Sequence, residues 1–363
     1  MAVHGTVDSS YTEVRDAFAK MLADQPGDPA AQLVAYQRDR IVADLWSSAA
    51  GDGDALTGVF SATKGATHLV IARLVRDRVL HLDRPVVAYW PEFTSDLTLR
   101  DLLAHRSGLI GVDGGFTSAE LADDRILADR LLRQQPFWRP GSTYGYHAFV
   151  IGALLGAVAE RATGRTIQQL FTDLVRTPFA VEVFLGSPDE SRYRPVLPAP
   201  QKAELPPDSL IGVAFNLNAD PPTDLAEWIN IPSVRALGQS SAAGVASARG
   251  LAKMYAAAVW GVDGAEPLLD RDTLTTFATV SSPGTDVVTG EPGHFGLGFE
   301  TQTHYRGLSP IAFGHSGAAG SHAFADPRTG IAYAYTRRRF AFPGGAAPEN
   351  ADLIEAVVRS AGR

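Results

Sequence analysis

The 363-residue chain is 45% hydrophobic and 20% charged and carries a formal charge of -8; that composition buries a sizeable core, and its negative balance argues against nucleic acid or an anionic membrane as partner, because both need a positive field. With no cysteine, disulfides, thiolate metal sites and a thiol nucleophile are excluded. The start, Met1-Ala2-Val3-His4-Gly5, lacks the pattern of a signal peptide and no apolar run is long enough to span a bilayer, so the expectation is a cytoplasmic protein acting on a small molecule, its oligomeric state unspecified.

In chain order, Tyr11 to Ala23 places Val14, Phe18, Met21 and Leu22 on one side and predicts an amphipathic helix ended by Gly27 and Pro29. Ala31 to Tyr36 and Ile41 to Trp46 read as strands joined by a turn at residues 37–40. A helix from Ser61 to about Arg76 follows, then a short helix at Leu99 to Ala104 with Thr98 as N-cap. Ala119 to Leu132 and Phe149 to Arg161 are helical, and a Thr166-to-Gln169 capping box opens Ile167 to Val175.

From Arg176 to about Ser233 the pattern breaks into Pro-rich loops such as Leu197-Pro198-Ala199-Pro200. That is more irregular chain than a compact domain normally carries, and it reads as a wall of a substrate site. Helices resume at Ser247 to Val259 and Asp272 to Phe277. A strand is expected from Gly296 to about His304, another at Ile311 to Gly314, then a pair, His322 to Ala325 and Ile331 to Thr336, and a closing helix, Asn350 to Ser360.

Strands at both ends with helices between imply an α+β fold: one antiparallel sheet built from both termini and flanked by helices, plus a mostly helical insert. The corresponding division is residues 1–78 with 285–363 for the sheet domain and 79–284 for the insert, the active site lying in the cleft between them.

Three segments carry chemistry. Phe60-Ser61-Ala62-Thr63-Lys64-Gly65 sets a lysine one turn after a serine on the same helix face. Lysine occurs only at 20, 64, 202 and 253, yet the spacing alone also suits an N-cap serine and a solvated lysine. Tyr144-Gly145-Tyr146-His147-Ala148 puts a tyrosine on a tight loop before a helix, and Phe313-Gly314-His315-Ser316-Gly317-Ala318 is a glycine-lined strand end whose N–H groups can approach a ligand. A serine hydroxyl needs a base at neutral pH; a lysine ammonium near a tyrosine would lower the phenol from its usual pKa of about 10, so either Tyr146 as phenolate or Lys64 as neutral amine can take the proton.

In this order the three segments resemble the serine β-lactamase and penicillin-binding-protein superfamily, most closely its esterase branch, the family VIII carboxylesterases. Tyr89-Trp90-Pro91, Leu102-Leu103-Ala104-His105-Arg106-Ser107-Gly108 and Gly296-Leu297-Gly298-Phe299 add to the likeness. The resemblance implies Ser61 as nucleophile, Lys64 and Tyr146 as its activating groups, the Ser61 and Ala318 N–H groups as oxyanion hole, and His315, Ser316, Gly317 and Tyr144 as substrate contacts, with no cofactor and no metal. It implies an ester hydrolase working through acyl-Ser61, with an acyltransferase passing the acyl group to an alcohol or amine as the alternative; a β-lactamase, a D-aminopeptidase or a non-catalytic binding protein follow.

Two departures from a β-lactamase stand out. Ala148 and His315 occupy positions where such an enzyme carries an asparagine and a lysine, so an amide and a permanent cation for a β-lactam carboxylate are missing; both changes favour neutral acyl esters. His68 and His105 read as packed or structural, and Arg337-Arg338-Arg339 as a solvated run on an edge strand.

Overall fold

A computed structural model describes every residue except 1, 26, 200, 202, 203, 294, 342, 343 and 363; Pro200 of the Pro-rich run and Lys202 therefore lie outside the described residues. The strands are β1 (Val3–Val7), β2 (Ala31–Gln37), β3 (Arg40–Ser47), β4 (Thr57–Gly58), β5 (Val183–Phe184), β6 (Val245–Ala246), β7 (Glu300–Thr301), β8 (Phe313–Ser316), β9 (His322–Asp326) and β10 (Ile331–Arg337). The helices are α1 (Thr12–Asp24), α2 (Thr63–Arg76), α3 (Leu99–Leu103), α4 (Ser118–Leu121), α5 (Asp124–Leu131), α6 (Ile151–Thr163), α7 (Ile167–Phe171), α8 (Thr177–Phe179), α9 (Leu210–Ala214), α10 (Leu225–Asn230), α11 (Pro232–Leu237), α12 (Ala248–Val259), α13 (Arg271–Ala278) and α14 (Asn350–Ala361).

Seven strands form one antiparallel sheet in the order β1-β3-β2-β10-β9-β8-β7. The seam between the chain's two ends is β2 against β10, from Ile331 opposite Gln37 to Arg337 opposite Ala31, so the sheet is built from both termini. Alternation divides each central strand between two cores. Val34 and Tyr36 of β2 and Ala332 and Ala334 of β10 face the larger core; Leu33, Ala35, Ile331, Tyr333 and Tyr335 face a smaller one closed by α1 and α14. The two alanines of β10 leave room for the alanine-rich α12, which lies against β2, β9 and β10 although it belongs to the stretch 79–284.

The capping residues act as expected at Thr98 and Thr166, and Ser247 supplies a third cap that was not anticipated. Thr98 and Asp101 close a capping box on α3, Thr166 and Gln169 another on α7, and Ser247 caps α12. Elsewhere the structure corrects the reading. The stretch Ala119 to Leu132 is two helices, because Asp123 accepts from Arg125 N and Ile126 N and starts α5 afresh. Residues 176–233 are not continuous loop: α8, β5, α9 and α10 lie within them and α11 begins at their end. The strand expected from Gly296 to His304 shrinks to β7, and β1 was not anticipated.

The arginine run is also corrected. β10 sits in the middle of the sheet, and Arg337 is buried against a buried Glu349. Arg338 donates to Pro195 O at 2.9 Å and Ala49 O at 3.2 Å instead of standing in solvent. Among the described residues no helix is long and apolar enough to cross a membrane.

Candidate active site

A second, small sheet, β4-β6-β5, leads the chain into the site: Thr57 pairs with Ala246 and Gly58 with Val245, and Val59 N donates to Gly244 O at 3.0 Å. Phe60 then turns through the left-handed region, φ 48°, which a bulky aromatic residue adopts only when its surroundings demand it. Its ring is held edge-on to Phe340 at 5.1 Å. Residues Phe60–Ala62 form a 3-10 turn and α2 begins at Thr63. Side chains three apart eclipse in such a turn, which sets Lys64 over Ser61. The helix itself is not amphipathic; Thr63 to Ala72 are all buried.

Ser61 is partly exposed, with its Oγ 3.1 Å from Lys64 Nζ and 2.8 Å from Tyr146 Oη. Lys64 is fully buried and also donates to Ala148 O at 2.5 Å and Ser241 O at 3.1 Å. Burial pushes its ammonium down to about 7, with Glu300 acting weakly in the other direction. Tyr146 moves the opposite way: burial raises its phenol above the ordinary 10, outweighing the hydrogen bond to Ser61. The expectation that lysine would ease ionisation of the tyrosine is thus overturned, since desolvation of both groups dominates.

The backbone of Tyr146 is fixed by Asp286, whose Oδ1 accepts from Tyr146 N at 3.2 Å and Val288 N at 2.8 Å. Around its ring lie Phe295, stacked at 5.7 Å, and Phe215, tilted at 6.5 Å. Tyr146 shares an apolar cluster with Ile110, Val213, Ala214 and Val288, so part of the stretch 176–233 packs beside it.

The strand end at β8 lies beside Ser61. Gly317 packs so closely on Val59 that a Cβ there would collide with the Val59 carbonyl oxygen, and Ser321 Oγ donates to that same oxygen at 3.1 Å. Ala318, partly exposed, follows directly. His315 is fully buried, its ring 6.1 Å from that of Tyr146; its Nδ1 lies 2.8 Å from Ser316 O and 3.1 Å from Glu300 Oε1. Burial, then the neighbouring Lys64, hold it down to about 3, so it is neutral at pH 7.

Tyr144 is not brought to Ser61 as a free contact: it is buried and its hydroxyl donates to Gly284 O at 2.8 Å, anchoring the loop behind Tyr146. His68 is buried edge-on to Phe299 at 5.4 Å, and His105, with φ 58°, gives its carbonyl to Gly145 N at 3.1 Å; both serve packing. A cleft of about 510 Å³ between α5, α6 and α7 is bordered by none of the residues around Ser61 and does not mark the chemistry.

Sequence reasoning missed Glu300, Asp286, Phe295 and Phe215. Glu300 directly follows the Gly296-Leu297-Gly298-Phe299 motif, but only the pairing of β7 with β8 sets it beside Ser316.

A buried lysine and a tyrosine converging on a serine at a helix entrance, beside the end of an antiparallel strand, define a serine acyl-transfer site on an α+β fold. The chain belongs to the Beta-lactamase family, whose model matches residues 14–357. It is 30% identical to the esterase/beta-lactamase LipL of Mycobacterium tuberculosis across 94% of this chain and 84% of LipL. Among solved structures it resembles EstA from Arthrobacter nitroguajacolicus Rue61a, with 38% identity, a TM-score of 0.91 and coverage of 100% and 99% of the two chains. A family VIII carboxylesterase matches at 29% identity and a TM-score of 0.87, covering 99% of this chain and all of the other.

Proposed function

We propose that this protein is a serine carboxylesterase in which Ser61 attacks the ester carbonyl, neutral Lys64 takes its proton, and the Ser61 and Ala318 N–H groups receive the oxyanion. The observation that carries the reading is the three-way contact at Lys64 Nζ. Ala148 O and Ser241 O can only accept, so they use two N–H bonds of the amine; a neutral amine then presents its lone pair to the Ser61 hydroxyl. Ser61 Oγ in turn accepts from the Tyr146 O–H, and the whole network is satisfied with no ion buried.

Attack forms the Ser61 Oγ–C bond and moves the hydroxyl proton to Lys64. Collapse of the tetrahedral species breaks the C–O bond to the alcohol, and Tyr146 hands its proton to the departing alkoxide while Lys64 reprotonates the phenol. Water repeats the cycle on acyl-Ser61.

The substrate side favours esters over β-lactams. Ala148 offers no side-chain amide, and His315 is neutral where a carboxylate would need a cation. A cytoplasmic setting and a small acyl ester complete the proposal. Hydrolysis of p-nitrophenyl acetate and butyrate by the protein and by Ser61→Ala tests it: the variant should lose about 10⁴-fold or more in kcat, and equal turnover would refute it. Added alcohol acceptors with product analysis separate water from a transfer acceptor.

A further inference from the structure

Glu300 lies opposite Gly314 in the β7–β8 pair, beside the strand end that leads to Gly317 and Ala318, and nothing in the mechanism above uses it. Its Oε2 accepts from Ser316 N at 2.8 Å and its Oε1 from Ser316 Oγ at 2.9 Å. The same Oε1 lies 3.1 Å from His315 Nδ1. Because His315 Nδ1 faces the Ser316 carbonyl, which cannot donate, this nitrogen carries the ring proton and gives it to Ser316 O; the carboxylate accepts from both donors of Ser316 with the ring alongside. The side chain remains 21% exposed, and among the described residues no lysine or arginine nitrogen lies within 4 Å of it.

The two donors of Ser316, its N–H and its O–H, are thus occupied by the protein's own anion. His315 is neutral, so the ring beside the carboxylate brings no compensating cation. Ala318 is two residues further along, at most about 7 Å of chain, so the carboxylate lies within about 10 Å of the Ala318 N–H once the 2.8 Å hydrogen bond is added, and within about 13 Å of an oxyanion held by that N–H. It also reaches Lys64 and Tyr146 electrostatically.

We propose that Glu300 is a specificity-determining residue that closes this end of the site to anions, so the enzyme takes acyl esters without a carboxylate and favours those whose acyl chain ends in an amine. This rests on the esterase reading of Ser61, and it goes beyond that reading by naming the charge class of the substrate. Two like charges at this range in a protein environment differ from a neutral pair by about tenfold in rate.

The test uses three p-nitrophenyl esters of equal chain length: hexanoate, the adipate half-ester and 6-aminohexanoate. At low salt kcat/KM should fall in the order amine, neutral, carboxylate, with about tenfold between neighbours. Glu300→Gln, which keeps the shape of the side chain, should shrink each gap by about that factor whatever it does to the common rate. In the unmodified protein, raising salt from about 20 mM to 0.5 M should narrow the same gaps, because exposed charges are screened; this arm stands even if the variant does not fold. Ratios that neither salt nor Glu300→Gln changes would overturn the proposal, and a fall in all three rates at constant ratio would mark Glu300 as a mere support for Ser316. Failure of the esterase reading is distinct: hexanoate turnover would then survive Ser61→Ala.

Discussion

Lys64 Nζ stands 4.9 Å above the ring of Tyr146, and both groups touch Ser61 Oγ. A cation over an aromatic face is favourable, but here neither group is in water. Burial brings the ammonium down to about 7 and drives the phenol up, so at neutral pH the amine is the group that readily changes charge.

The first prediction concerns pH. As the proposed base Lys64 acts when neutral, so kcat/KM for p-nitrophenyl butyrate should rise through an inflection near pH 7 and stay high above it. Lys64→Arg should remove this limb along with about 10³-fold or more of the rate, because a guanidinium does not deprotonate. An inflection near 10 in the unmodified enzyme would contradict the assignment.

In the proposed mechanism Tyr146 supplies a proton, and among the described residues its hydroxyl is hydrogen-bonded to Ser61 alone. Tyr146→Phe should lower kcat by about 10²- to 10⁴-fold. Its urea midpoint should move by no more than the equivalent of about 1 kcal/mol. Full activity in this variant would remove the tyrosine from the mechanism.

Acid should unfold this protein earlier than its carboxylates alone would dictate. Burial lowers His147 and His322 to about 4, His315 to about 3, and His68 and His105 well below the ordinary 6.5. Their folded values lie under the unfolded one, so between the two the unfolded chain binds more protons. The stability they contribute is fully present above about pH 6.5 and is lost as pH falls through each folded value, at up to about 1.4 kcal/mol per pH unit for each ring. Urea midpoints at pH 7.5, 6 and 5 should fall progressively; a flat profile would speak against it.

The pair Arg337 and Glu349 is 5% and 8% exposed, and Tyr335 Oη adds a hydrogen bond to the same carboxylate at 2.8 Å. Removing the cation leaves a buried charge without its partner. Arg337→Ala should cost about 3–5 kcal/mol in denaturant unfolding, with ester turnover per folded molecule retained. A loss below about 1 kcal/mol would place this pair with ordinary surface bridges.

Much of this was legible in the chain because local signals and global fold agree. The β2–β3 hairpin, α1, α12 and α14 follow from hydrophobic period, and Thr98 and Thr166 announce their helices. Ser61, Lys64 and Tyr146 were visible as motifs, and the structure gathers all three. What was not legible depends on distant partners. Arg337 reads as a surface residue until β10 is seated between β2 and β9 over Glu349. Tyr144 reads as a substrate contact until the loop that brings Gly284 to its hydroxyl is in place. The sign of the Tyr146 shift followed from burial, which a pairwise argument about lysine leaves out.

The most direct test of the central claim is intact and peptide mass spectrometry of the protein quenched with acid during turnover of p-nitrophenyl butyrate. A single butyryl adduct should appear, mapping to Ser61 and absent from Ser61→Ala, and it should build up further in any variant whose deacylation is slowed. An adduct on another residue, or undiminished turnover without Ser61, would contradict the account.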